Sequence, residues 1–276
     1  MSEKQHVFDT FLRQDKLPHI WCPGCGNGIV INALIRAIEK TEIDPDNVVI
    51  VSGIGCSSRA NGYMNFCALH TNHGRALPYA TGVKMFNPKL KVIVVTGDGD
   101  CTSIGGNHFI HACRRNIDIT TVVFNNNNYG MTGGQFSPTT PLGSKTKTSV
   151  YGSIDTPFDI CSLAAAAGAT YVARSTVYHV NMLINQIAEG INHQGFSVVE
   201  AVCDCPTLYG RLNKKGAAPD MLLGFKENAV MKAKADTMTE EELKGKIVIG
   251  NFAKRVDRKE YTAQYDSIIE SAKGGH

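Results

Sequence analysis

Lys91-Val92-Ile93-Val94-Val95-Thr96-Gly97-Asp98-Gly99-Asp100 is the stretch on which the fold of this chain turns. Lys91 to Thr96 is apolar and β-branched, long enough for a buried strand and too short for most helices. Gly97 and Gly99 would let the chain turn sharply at the strand end, and Gly105-Gly106 would open a helix through His108, Ile110, His111 and Ala112. A helix N-terminus facing a glycine-rich turn offers free N–H groups and the positive end of a dipole, which suits an anionic diphosphate. A second run, Ile119-Thr120-Thr121-Val122-Val123-Phe124, ends directly at Asn125-Asn126-Asn127-Asn128. Both polar elements thus end parallel strands, the edge at which open parallel sheets bind ligands. Asp98 and the amide oxygen of Asn126 are hard oxygen donors of the kind Mg²⁺ takes beside phosphate oxygens and water. Gly-Asp-Gly alone is a common turn; strand, glycine turn, helix, strand and asparagine run in that order favour a metal-diphosphate cradle.

Outward from that core the alternation continues. Ile29, Ala33, Leu34, Ala37 and Ile38 mark one face of a helix, and Val48-Val49-Ile50-Val51-Ser52 is a strand that ends at Gly53-Ile54-Gly55-Cys56. Helices are expected around 160–167 and 180–191, preceding strands at Thr170 to Ala173 and Phe196 to Val202. Strand and helix in alternation predict an α/β fold, a doubly wound, mostly parallel sheet with helices on both faces. Residues 129–157, rich in Gly, Ser, Thr and Pro, form a long loop of the kind that usually carries function. The periodicity weakens after Cys205. Residues 1–205 read as the ligand-binding domain and 206–276 as an extension packing on it or on a partner subunit.

At 276 residues the chain can bury a substantial core, and a net charge of +3 with 19% charged residues gives no basic stripe for nucleic acid. The apolar runs are too short for a membrane helix and Met1 to His6 lacks a signal-peptide pattern, so a cytoplasmic protein is expected. In that compartment the nine cysteines are not a disulfide framework. Cys67, Cys101, Cys113 and Cys161 sit singly in apolar or helical surroundings and read as structural, where cysteine behaves as a small hydrophobe. Cys22-x-x-Cys25, Cys56 at the end of the first strand and Cys205 at the end of the last could instead meet at one place. Four thiolates suit tetrahedral zinc or a [4Fe-4S] cluster, and spacing alone does not decide. Proximity to a redox-active cofactor favours the cluster. Cys203 and Cys205, two apart on a strand, would face the same way; Cys205, followed by Pro206-Thr207, is the favoured fourth ligand.

Gly-Asp-Gly through to Asn-Asn resembles the thiamine diphosphate fingerprint. Together with Trp21-Cys22-Pro23-Gly24-Cys25-Gly26, Ser52-Gly53-Ile54-Gly55-Cys56-Ser57, His70-Thr71-Asn72-His73-Gly74-Arg75, Tyr129-Gly130-Met131-Thr132 and Cys205-Pro206-Thr207, the chain over about residues 17–210 resembles the β subunit of the 2-oxoacid:ferredoxin oxidoreductases. The resemblance implies decarboxylation of a 2-oxoacid with thiamine diphosphate, single electrons passed through a [4Fe-4S] cluster to ferredoxin, and an acyl group delivered to coenzyme A. It implies that Cys22, Cys25, Cys56 and Cys205 bind the cluster and that Asp98, Asn126 and the backbone carbonyl of Asn128 bind Mg²⁺. Gly97, Asp98, Gly99, Asp100, Asn126, Cys56 and Ser57 would contact the cofactor. Two departures stand out: Asn127-Asn128 replace the basic and aliphatic residues common before the tyrosine, and Gly133 stands where many members carry lysine, which bears on substrate preference.

The glutamate that activates thiamine belongs to a pyrimidine-binding domain for which this chain has no room, so an α subunit carrying it is expected and the chain alone should be inactive. His70 and His73, with Arg75, flank a loop able to reach a substrate carboxylate or the diphosphate. Arg59, three residues past Cys56, could fork onto a distal carboxylate, which favours 2-oxoglutarate over pyruvate. The competing expectations are a redox-free thiamine decarboxylase or synthase, which would be colourless, and a zinc-bound subunit that only scaffolds a partner.

Overall fold

The computed structural model describes residues 6–274. Its frame is an eight-stranded sheet: β1 (Val48–Ser52), β2 (Cys67–His70), β3 (Lys91–Gly97), β4 (Thr120–Asn125), β5 (Tyr171–Thr176), β6 (Ser197–Val202), β7 (Ala229–Met231) and β8 (Ile247–Lys254). They lie in the order β2-β1-β3-β4-β6-β5-β8-β7, and every pairing is parallel except β5 with β8. Strands β3, β4, β5 and β6 are buried almost throughout, because helices cover both faces and leave no side for water.

The helices α1 (Val7–Phe11), α2 (Asn27–Lys40), α3 (Ala60–Tyr63), α4 (Ala76–Phe86), α5 (Gly106–Arg115), α6 (Ile160–Ala167), α7 (Val180–Asn192) and α8 (Ala218–Asn228) precede a last one at Tyr261–Gly274. Alternation along the strands sorts the core into two layers. Ile93 and Val95 pack with Leu34 and Ile38 of α2 and Leu183 and Ile187 of α7. Val92 and Val94 pack on the other face with Leu77 of α4, Phe109 of α5 and Ile160 of α6. Among the described residues no helix is long and apolar enough to cross a membrane.

The doubly wound, mostly parallel sheet agrees with the alternation in the sequence, and of the elements additional to that pattern three stand out. β2 is a short, largely exposed edge strand with no β-branched residue. α4 contains Pro78, which sits in the first helical turn, where its missing N–H has no intrahelical acceptor to lose. β8 lies within the C-terminal stretch read as an extension; it runs antiparallel to β5, with a bulge that shifts the register beside Ala173.

The glycine turn expected after β3 is also different. The chain passes from Gly97 straight into helical conformation, and a wide turn at Asp100–Ile104, closed by Gly105 N–H donating to the Asp100 carbonyl at 3.0 Å, leads into α5. Gly99 is right-handed, with φ −69° and ψ −36°. It is glycine for space: a β-carbon there would stand 2.4 Å from the Tyr129 ring.

Candidate functional site

The carboxyl ends of β1, β2, β3 and β4 meet where the strand order reverses, the position at which open parallel sheets form a crevice. A cleft of about 510 Å³, measured to its open mouth, lies there. Its walls include Cys56 and Ser57 after β1, His73 after β2, Gly97 to Asp100 after β3, and Asn126, Asn128 and Tyr129 to Thr132 after β4. Gly97 pairs with Phe124 in the β3–β4 ladder, and this register sets Asp98 beside the asparagine run.

Asp98 is 2% exposed. Its Oδ2 accepts hydrogen bonds from the hydroxyls of Ser137 and Thr139, both at 2.6 Å, leaving Oδ1 as the oxygen with ligand capacity to spare. Burial pushes its carboxyl up to about 6, against the lowering effect of the two hydroxyls and of nearby backbone N–H groups. Among the described residues no cation pairs with this carboxylate. Beside it, Asn127 adopts a left-handed φ of 60°, which asparagine tolerates, and this folds the run back on itself. The Asn128 side chain donates through Nδ2 to the Asn126 carbonyl at 3.2 Å, while its Oδ1 is buried without a partner. The Asn126 amide oxygen accepts only a long 3.4 Å contact from Asn128 N–H. One carboxylate oxygen and amide oxygens short of donors form a set a small hard cation would complete.

Asp100, also expected to touch the ligand, faces back into the protein. Its carboxylate accepts from Thr96 Oγ1 and Gly74 N–H, each at 2.7 Å, from Ile54 N–H at 3.3 Å, and is paired with His73 Nδ1. It therefore ties together the loops after β1 and β2, and with Nδ1 engaged, His73 has Nε2 left for the cleft. The other side chains expected near the substrate are placed differently. His70 is exposed at the end of β2, where Nδ1 bonds Ser52 Oγ at 2.8 Å. Arg75 donates to the Ile104 carbonyl at 3.0 Å and so straps the entry to α5. Arg59 is exposed and lies outside the cleft walls.

Behind Cys56 the thiols gather. Trp21 Nε1 donates to the Cys56 carbonyl at 2.7 Å, holding the Cys22–Cys25 loop against the end of β1. Gly26 N–H donates to the Asp204 carbonyl at 3.2 Å and ties the same loop to the segment after β6. Burial pushes the Cys25 thiol up to about 12, and Cys205, Asp204 and Cys56 add to the rise. Burial likewise raises Cys56 to about 11, with Cys205, Cys22 and Asp98 contributing. The four thiols thus share one electrostatic neighbourhood, although among the described residues no three His, Cys, Asp or Glu side chains converge closely enough to grip a single metal ion. The same-face argument for Cys203 and Cys205 does not hold, because β6 ends at Val202 and both residues lie beyond it. Cys203 is buried in the core with its thiol toward Asn27 Oδ1 at 3.6 Å, whereas Cys205 packs with Tyr209 and Met221 in a separate small cluster.

Ser137 and Thr139 escaped the sequence reading as individuals, although the long hydroxyl-rich loop that carries them did not. That loop is clamped internally: Ser137 N–H donates to Thr140 Oγ1 at 2.9 Å, and Thr140 Oγ1 donates to the Asn127 carbonyl at 2.8 Å.

Residues 53–201 match the family model described as "Thiamine pyrophosphate enzyme, C-terminal TPP binding domain". The 2-oxoglutarate synthase subunit KorB of Methanocaldococcus jannaschii is 52% identical over 268 residues, 97% of this chain and 99% of that protein. The subunit of the same name from Methanothermobacter thermautotrophicus is 50% identical over 92% of this chain and 89% of its own length. Among solved structures, the 2-oxoglutarate:ferredoxin oxidoreductase from Magnetococcus marinus, with 2-oxoglutarate, coenzyme A and succinyl-CoA bound, superposes with a TM-score of 0.86 at 30% identity, over 100% of this chain and 93% of that one. Cleft, fold and relatives agree: the chain belongs to the β subunits of the 2-oxoacid:ferredoxin oxidoreductases, of the 2-oxoglutarate synthase KorB type, built on the thiamine diphosphate-binding fold.

Proposed function

We propose that this β subunit serves the CoA-dependent oxidative decarboxylation of 2-oxoglutarate to succinyl-CoA, with thiamine diphosphate and Mg²⁺ in the cleft and a [4Fe-4S] cluster on Cys22, Cys25, Cys56 and Cys205. The carrying observation is the double position of Cys56, which is at once a wall of the cleft beside Asp98 and a member of the thiol group. A redox group held there would adjoin a cofactor bound in the cleft and could accept its electrons without an intervening layer of protein.

The donor sets fit these groups. Asp98 Oδ1, the Asn126 amide oxygen and the backbone carbonyl of Asn128 would hold Mg²⁺, which in turn takes the diphosphate; the unpartnered Asn128 Oδ1 shows how short of donors that corner is. Structural zinc pulls its sulfurs to within about 3.8 Å of one another. A [4Fe-4S] cluster spaces its cysteines more widely, one on each iron, and four thiols that share a field beside the cleft could supply them. Thiamine diphosphate supplies the carbanion chemistry, and the protein positions and tunes it. Ser137 and Thr139 fix the rotation of Asp98, Asp100 orients His73, and His73 Nε2 can then hold or pass a proton at the substrate. The activating glutamate and the pyrimidine-binding half come from an α subunit, with residues 1–205 as the cofactor unit and 206–276 as the extension. Ferredoxin, coenzyme A and a small 2-oxoacid complete the partners, in the cytoplasm.

The test is to produce the chain with its α subunit under anaerobic conditions and measure iron, acid-labile sulfide, zinc, and 2-oxoglutarate-dependent reduction of a one-electron acceptor. About four irons per β chain, lost in Cys56→Ser together with acceptor reduction, are expected. Stoichiometric zinc without iron, or turnover of 2-oxoglutarate by colourless protein, would refute the reading.

A further inference from the structure

The cleft walls contain two aspartates and one histidine but neither lysine nor arginine. Apart from His73, no side chain in these walls can carry a positive charge to meet the second carboxylate of a dicarboxylic 2-oxoacid. Arg59 and Lys147 both stand outside these walls, but Lys147 rests on Gly133, the residue that directly follows the lining residue Thr132.

Gly133, next to the lining residues Met131 and Thr132, has a φ of 114° and carries the tip of the turn that follows Tyr129. The turn is fixed by Gly133 N–H donating to the Gly130 carbonyl at 3.0 Å and Gly134 N–H donating to the Tyr129 carbonyl at 2.8 Å. Lys147 lies across this tip. A β-carbon on residue 133 would stand 3.1 Å from Lys147 Nζ and 3.9 Å from its Cδ, so the missing side chain is what lets the ammonium settle there. The root of Lys147 is held as well: its N–H donates to the Gly134 carbonyl at 2.8 Å, and the preceding residue, Thr146, is buried and bonds Ser149 Oγ at 2.7 Å. Among the described residues Lys147 enters no ion pair. An exposed ammonium with no counter-ion, anchored at its backbone and resting on the tip of a cleft-lining turn, has the charge and freedom to meet an anion at the mouth.

We propose that Lys147 is a specificity-determining residue: its ammonium, lodged over Gly133, pairs with the distal carboxylate of a dicarboxylic 2-oxoacid while the keto end reacts in the cleft. The proposal rests on the functional reading above. An ammonium–carboxylate pair at a half-open mouth changes affinity by about tenfold. The αβ complex is assayed with 2-oxoglutarate and, in parallel, with 2-oxobutyrate, which lacks the second charge; the variants are Lys147→Met, Lys147→Arg, Lys145→Met and Arg59→Ala. Lys147→Met is expected to lower kcat/KM for 2-oxoglutarate about tenfold through KM, with kcat and the 2-oxobutyrate parameters within twofold of wild type. Lys147→Arg should keep most of the preference, and Lys145→Met all of it. Equal losses on both substrates would mean that Lys147 only braces the turn, and an unchanged preference in Lys147→Met, or its transfer to Arg59→Ala, would overturn the proposal. If the wild-type complex turns over 2-oxobutyrate and not 2-oxoglutarate, the functional reading itself fails, and this inference with it.

Discussion

Two carboxylates, Asp98 and Glu200, are equally buried, each 2% exposed, and they are treated in opposite ways. Glu200 is closed. Its Oε1 accepts from Asn125 Nδ2 at 2.7 Å, and its Oε2 accepts from Arg174 Nε at 2.7 Å and from the Cys161 thiol at 3.3 Å. Arg174 is itself used up, donating to Asp159 Oδ1 at 2.8 Å and to the Val248 carbonyl of β8, with its guanidinium over the Phe252 ring. Burial opposes the Arg174 charge, yet Glu200 and Asp159 outweigh it and hold the guanidinium above its usual range. Asp98 has hydroxyls for one oxygen and, among the described residues, no cation. A buried charge whose partner is in the chain serves the fold; one whose partner is missing from the chain is poised for a ligand.

The strongest way to break that contrast is to exchange charge for neutrality at each end. Arg174→Met should strand Glu200 and Asp159 and cost about 3–5 kcal/mol of stability, read as a fall in the thermal unfolding midpoint. Asp98→Asn should leave the midpoint of the cofactor-free protein at or above wild type, since it removes a desolvated charge that no cation offsets among the described residues. The same variant should weaken Mg²⁺-dependent binding of thiamine diphosphate, measured by calorimetry, by about a thousandfold or more. An Asp98→Asn protein that unfolds like Arg174→Met would show that both carboxylates are structural.

How far the sequence foretells this arrangement depends on what carries each signal. β1, β3, β4 and β6 are legible because a strand covered on both faces must be a β-branched run, as in Val92-Ile93-Val94-Val95. Cys67-Ala68-Leu69-His70 has no such run because an edge strand buries little, and Pro78 disguises α4 by imitating a helix end. Ile247 to Lys254 is interrupted by Gly250 at φ 120°, which hides β8 among charged neighbours. In the site, Asp98 and Asn126 can be found because each directly follows a strand. Ser137 and Thr139 cannot, since they reach Asp98 from 39 and 41 positions away through a loop whose path no local pattern encodes. The space that Gly99 makes for Tyr129 is equally non-local, which is why Gly-Asp-Gly looks like a turn in the sequence alone.

A smaller effect sharpens the contrast at Gly99. Gly99→Ala would drive a methyl group to 2.4 Å from the Tyr129 ring, whose hydroxyl donates to the Gly99 carbonyl at 3.1 Å. Overpacking of this kind costs about 1–3 kcal/mol. The cost should fall on the open region alone, because Tyr129 carries the turn that lines the cleft and makes no contribution to the Glu200 network. Lower stability of the cofactor-free protein, recovered in the double variant Gly99→Ala/Tyr129→Ala, is the expected double-mutant coupling. No coupling would mean that the ring yields freely and that glycine is not required there.

The smallest expected change separates two roles of the hydroxyls on Asp98. Thr139→Val keeps the shape of the side chain and removes one donor to Oδ2, a loss of about 1 kcal/mol, or about fivefold in the Mg²⁺ dissociation constant. It can act by freeing the carboxylate to rotate or by making it harder to ionise, and pH distinguishes the two. The carboxyl already stands at about 6 because burial disfavours its charge, and the Thr139 hydroxyl works against that rise. Without the hydroxyl the carboxyl moves higher, so at pH 6.5 a larger fraction is protonated and unable to take Mg²⁺, whereas at pH 8 both proteins are ionised. A deficit that shrinks toward nothing between pH 6.5 and pH 8 assigns the hydroxyl to charge stabilisation; one that persists undiminished at pH 8 assigns it to orientation. An affinity equal to wild type at both values would leave Asp98 indifferent to its donors, and the likeness between its half-finished shell and the completed shell of Glu200 would then be one of appearance.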